Sequence, residues 1–128
     1  MKIISTKTHG VLDYLVGLLL IASPWIFGFA DVETAKWIPV ILGVGALLYS
    51  LMTDYEMGMS KTISMKTHLT LDTISGIFLA ASPWIFGFAD QVYVPHLILG
   101  ILEIGAASMT KTTTSTTGLH NVKHSAAI

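Results

Sequence analysis

Two histidine–aspartate pairs with identical spacing are the residues in this chain best suited to chemistry: His9 with Asp13, and His68 with Asp72. A separation of four places both groups on one face of a helix. Neutral imidazole nitrogens and carboxylate oxygens are ligands for zinc and similar divalent ions, so His9, Asp13, His68 and Asp72 form a candidate metal set. Asp13, Asp72 and Glu103 form a candidate intramembrane polar site that would serve a proton or cation conduit, because an acid in an apolar medium is costly and calls for a reason. The preferred reading is structural. Each histidine satisfies its own aspartate near a helix start, where acids complement the helix dipole, and Glu103 hydrogen-bonds across a bundle to Ser50 or to a freed carbonyl. No nucleophile–base pair, phosphate loop or cofactor fingerprint is present, so the chain is expected to be no enzyme, with no catalytic residue and no cofactor.

These residues belong to a duplicated unit. The nine residues SPWIFGFAD occur at 23–31 and again at 82–90. The same offset, from Ser23 to Ser82, aligns Lys7-Thr8-His9 with Lys66-Thr67-His68, Asp13 with Asp72, and Gly17 with Gly76. Each copy is therefore read against the other.

The elements that carry the pairs are long and apolar. Charged residues are 12% of the 128, about half the usual globular share of roughly 25%, and apolar residues are 52%. A small soluble domain needs more polar surface than that. Residues 14–30, 37–53 and 73–89 carry no charge, and 91–110 carry only Glu103. Four such runs predict an all-α polytopic membrane protein with four transmembrane helices, arranged as two tandem helical hairpins of the same orientation. The first hairpin occupies 1–58 (spans about 9–30 and 35–53), a cytoplasmic linker 59–67, and the second hairpin 68–110 (spans about 68–89 and 92–109). A threonine-rich tail, 111–128, is expected to be disordered, and its His120 and His124 to be incidental. The internal copy of the first span argues against a signal peptide.

Lys2, Lys7, Lys61, Lys66, Lys111 and Lys123 lie at the termini and in the middle loop, while the two opposite connections hold only Lys36. This bias places both termini in the cytoplasm of a bacterial inner membrane. Trp25, Trp37 and Trp84 then fall near the outer interface. The expected partners are the lipid bilayer and, for a structural or accessory role, a second copy or another membrane protein. Nucleic acid is excluded by the near-neutral charge and the lack of a basic patch. With no cysteine, disulfides and thiolate metal sites are excluded.

Ser23-Pro24-Trp25 and Ser82-Pro83-Trp84, each followed by Ile-Phe-Gly-Phe, resemble the SPW repeat family of small bacterial integral membrane proteins, as does the stretch 49–58 with Thr53-Asp54-Tyr55-Glu56. The resemblance covers roughly residues 7–109. It implies a membrane location and a two-hairpin fold, and it carries over no catalytic residues. Physically, Pro24 removes a backbone donor and frees the carbonyl of Leu20, which the Ser23 hydroxyl or a neighbouring helix would satisfy. A kinked but continuous helix is expected rather than a break, with Gly28 closing the helix end. Small residues at helical spacing (Gly17, Gly43, Ala46, Ser50 and their counterparts Gly76, Gly100, Ala107) predict close packing with the polar groups inside.

Overall fold

The computed structural model describes residues 2–113 and contains four helices: α1 (Thr6–Ile26), α2 (Glu33–Leu51), α3 (Met65–Ile85) and α4 (Val94–Ser108). No named strand occurs among the described residues. α1 packs on α2 and α3 on α4 as two hairpins, which meet mainly through α2 and α3. The helices start and stop a few residues from the expected bounds. The largest differences are that α1 and α3 begin three residues earlier and end four residues earlier. Residues 114–128, with His120 and His124, lie outside the described part.

The two starts are built alike. Ser5 and Ser64 cap α1 and α3, their side-chain oxygens accepting from the backbone N–H of Thr8 and Thr67 at 3.1 Å. Just before each cap the chain is extended, and Ile63 bridges to Thr53 as Ile4 bridges to Thr110. The start of α3 is thus tied to the end of α2, and the start of α1 to the end of α4. The ring of four helices closes at the end where the described chain begins and ends.

The proline in each SPW motif sits in the last turn of a helix that runs on through it, so the helix is continuous there, as expected, and not broken. The freed carbonyls are satisfied as expected: Ser23 Oγ donates to Leu20 O at 2.8 Å and Ser82 Oγ to Leu79 O at 2.7 Å. Beyond the prolines, Gly28 and Gly87 take φ of 73°. The N–H groups of Phe29 and Phe88 fold back onto the carbonyls of Pro24 and Pro83 at 2.8 Å, a Schellman closure that needs the left-handed residue. Phe29 and Phe88 are thereby turned inward and buried, with Ala35.

Pro39 raises the same accounting problem in α2, since its ring frees the Ala35 carbonyl. His96 Nε2–H, from α4, donates to that oxygen at 2.8 Å. His96 is therefore a structural donor linking the hairpins.

Within each hairpin the helices approach closely. A Cβ on Gly100 would lie 2.5 Å from Gly76 O, and one on Gly43 would lie 2.7 Å from Gly17 O. Outside this contact the surface is strongly apolar: Leu15, Leu18, Ile41, Leu48, Ile74, Ile77, Ile98 and Ile101 are all exposed. Two helices, α1 and α2, are long and apolar enough to cross a membrane, and α4 is a shorter apolar helix.

Two substitutions test this account. Gly100→Ala must push α3 and α4 apart and is expected to cost about 1–3 kcal/mol. Ser23→Ala strands the buried Leu20 carbonyl and is expected to cost about 1–3 kcal/mol. Thermal unfolding of the purified variants reads both, and a wild-type melting curve for Gly100→Ala contradicts the close-approach account.

Candidate functional site

The two His–Asp pairs do not remain separate. α1 and α3 face each other and bring His9, Asp13, His68 and Asp72 into one buried cluster, in which a ligand atom from each lies within 4.8 Å of the others. His9 Nε2 is 3.0 Å from Asp13 Oδ1 and 2.7 Å from Asp72 Oδ2. His68 Nε2 is 2.9 Å from Asp13 Oδ2 and 3.2 Å from Asp72 Oδ2. The expectation that each histidine satisfies only its own aspartate is therefore corrected. The shortest bond runs between repeats, because the shared helix face points at the pseudo-two-fold axis. The imidazole rings stand 5.5 Å apart at 80°.

The far side of each imidazole is held by a threonine from the other repeat. His9 Nδ1 meets Thr110 Oγ1 at 2.8 Å, and His68 Nδ1 meets Thr53 Oγ1 at 2.7 Å. Each hydroxyl already donates its only proton to a backbone carbonyl, Thr110 to Ala106 at 2.5 Å and Thr53 to Tyr49 at 2.6 Å. A hydroxyl so committed can only accept from the ring. Both Nδ1 atoms therefore carry hydrogen, and both Nε2 atoms lie beside the carboxylates.

The carboxylates have their own donors. Tyr49 Oη–H donates to Asp72 Oδ1 at 2.5 Å and Tyr55 Oη–H to Asp13 Oδ2 at 2.7 Å. Tyr55 lies in the loop after α2 and is fully buried. Burial, and then the adjacent Asp13 charge, pushes its phenol above the ordinary value, so it remains a donor. One group is left poorly served. His68 Nε2 is buried, and although two carboxylate oxygens are near, neither lies along its bonding direction, so it makes no aligned hydrogen bond.

Glu103 does not make the expected bond to Ser50 or to a freed carbonyl. It lines a cavity of about 220 Å³ beside the cluster, together with Asp13, Tyr49, Asp72 and Ala106. Ser23, Pro24, Trp25, Ser82, Pro83 and Trp84 take no part in the cluster. They lie toward the opposite ends of α1 and α3, with both tryptophans exposed.

Thr53, Thr110, Tyr49 and Tyr55 are the site residues that the composition and spacing of charged groups did not reveal. Thr53 and Thr110 carry a sequence signal all the same: the shift that superposes Gly43 on Gly100 also superposes these two threonines. The tyrosines carry none, because their counterparts at 106 and 112 are alanine and threonine.

The SPW repeat domain family matches residues 7–110, and the chain belongs to that family. No curated protein and no solved structure matches it.

The cluster predicts a graded response. Thr110→Val leaves the His9 Nδ1–H buried without an acceptor and is expected to cost about 1–3 kcal/mol. Asp72→Ala strips a partner from both imidazoles and from Tyr49 and is expected to cost about 3–5 kcal/mol. Chemical unfolding of the two variants measures the order. Equal stability of Asp72→Ala and wild type contradicts a cross-repeat role for Asp72.

Proposed function

We propose that this chain is an integral membrane protein of four spans that holds one divalent transition-metal ion between its repeats, at His9, Asp13, His68 and Asp72. The observation that carries the metal reading is His68 Nε2: a buried nitrogen, held by Thr53 at 2.9 Å from Asp13 Oδ2 and 3.2 Å from Asp72 Oδ2, and without an aligned hydrogen bond. The wider chemistry agrees. Once an incoming ion displaces any Nε2 proton, two neutral imidazoles and two carboxylates balance a divalent charge, and nitrogen–oxygen sets of this kind suit Zn²⁺ and its first-row neighbours. Shifts of roughly 1 Å bring the four ligand atoms to bonding distance around one centre. Thr53, Thr110, Tyr49 and Tyr55 supply the outer hydrogen bonds that orient metal ligands and tune their basicity.

The role is one of binding and structure rather than turnover. An ion here would add a further clasp between two hairpins already joined by buried apolar layers. Conduction has less support, since Leu20, Leu79 and Leu99 form a buried apolar layer beyond the cluster, and Phe29, Phe88 and Ala35 form another beyond that. The membrane reading rests on the family, on the outward apolar belt and on the spans of α1 and α2. The lysine bias orients both termini to the cytoplasm of a bacterial inner membrane, which puts the metal cluster near the cytoplasmic side. The belt also offers a surface to a second copy or to another membrane protein.

Metal analysis of detergent-purified protein is expected to give about one ion per chain. Chelation should lower the melting temperature, and Zn²⁺ should restore it. Thr53→Val, which leaves all four ligands in place, should weaken Zn²⁺ binding about 10–100-fold. A melting temperature indifferent to Zn²⁺, Mn²⁺, Co²⁺ and Ni²⁺ overturns the metal assignment. Reporter fusions placing the termini on opposite faces, or recovery of intact protein from the aqueous fraction, overturn the membrane assignment.

A further inference from the structure

The two seams between the hairpins are related by the repeat but are filled differently. At the α2–α3 seam, Tyr49 lays its ring between the helices and donates its hydroxyl to Asp72. The equivalent place at the α1–α4 seam faces Asp13. The residue there, aligned by the shift that superposes Gly43 on Gly100 and Thr53 on Thr110, is Ala106. Ala106 carries no ring and lines the cavity of about 220 Å³, which Tyr49 also borders.

The cavity has two characters. Its walls are Leu12, Val16, Leu99 and Leu102, and it opens between α1 and α4 beside the exposed Leu12 and Leu102. Its floor is polar: Asp13 and Asp72 on one side and Glu103 on the other. Glu103 stands where the first repeat has Ala46, so this acid also belongs to one seam alone. Its carboxylate makes no hydrogen bond to any described residue. An acceptor has been added and a ring removed at the same seam.

We infer that this cavity binds a membrane-soluble phenol, a class that includes quinols: a hydroxylated ring on a hydrophobic tail. The ring takes the place that Tyr49 fills at the opposite seam. The hydroxyl donates to Glu103, and the tail leaves past Leu12 and Leu102 into the surrounding apolar phase. Ala106 and the acceptor Glu103 are not among the four proposed metal ligands, although His9, Asp13 and Asp72, which are, also line the cavity.

The test uses full-length protein in lipid nanodiscs with 4-hexylphenol as the probe and hexylbenzene as its hydroxyl-free control. Calorimetry should show saturable binding of the phenol above lipid partitioning, and none of the hydrocarbon. Ala106→Tyr restores the ring from within. It should abolish saturable phenol binding while keeping the wild-type helical spectrum and an equal or higher melting temperature. Glu103→Leu removes the acceptor and should weaken phenol binding at least about tenfold. Saturable binding that is unchanged in both variants, or phenol uptake by wild type no greater than by empty nanodiscs, overturns the assignment. Zn²⁺ binding that persists in Ala106→Tyr separates this site from the metal site.

Discussion

The structure depends on two carboxylates and two imidazoles facing one another across a repeat boundary, out of water. A buried carboxylate is tolerated only with partners that supply opposite charge or hydrogen bonds. Asp72 has both histidines and Tyr49, and Asp13 has both histidines and Tyr55. No hairpin alone can meet that demand, because each contributes one histidine and one aspartate. The cluster therefore ties the hairpins together by a requirement for satisfaction, alongside the apolar layers of Leu20 with Leu79 and Leu99 and of Phe29 and Ala35 with Phe88 that also join them.

Around the cluster the same rule recurs, each time with a local solution. Prolines at 24, 39 and 83 each free a carbonyl, and the three are met by Ser23, His96 and Ser82. The serines are close in sequence and act within their own turn. His96 comes from the other hairpin and sits where the first repeat has Pro39 itself. Divergence between the copies has turned one proline position into the donor that serves the other. The prolines thus shape the helices while the three carbonyls they free are each paired, which matters most in a medium that offers no water.

Much of this was legible in the sequence. The duplication, four helices, the shared His–Asp face, the Ser23 bond to Leu20 and the turn at Gly28 all follow from local rules whose inputs lie within a few residues. Which aspartate each histidine bonds was not legible, because that depends on how far α1 and α3 approach across the axis. Tyr49 and Tyr55 were hidden for a related reason: they lie at the end of the first repeat, have no counterparts in the second, and reach the site only through tertiary packing. The expected partner of Glu103 was wrong for the same cause. Its face was assigned correctly, but the space beside it is set by the small size of Ala106, a residue that attracts no notice in a one-dimensional reading. Thr53 and Thr110 are the intermediate case, visible once the second helices of the two repeats are aligned and easily passed over before that.

A duplicated hairpin has a physical advantage for building a polar centre in an apolar medium. Equivalent residues lie on opposite sides of the pseudo-axis, so one favourable helix face yields four convergent groups. The threonine that locks one imidazole is supplied by the mirror of the element that locks the other. Full symmetry, however, would leave both seams alike and the centre either sealed twice or open twice. The chain departs from symmetry at positions 46, 49 and 55 against 103, 106 and 112. These departures are confined to α2, α4 and the segments after them, while His9, Asp13, His68 and Asp72 stay matched. The inner ring of histidines and aspartates is thus kept constant while one seam is closed by Tyr49 and the other is left open beside Glu103. That division separates the part of the repeat that holds the fold together from the part that differs between the copies.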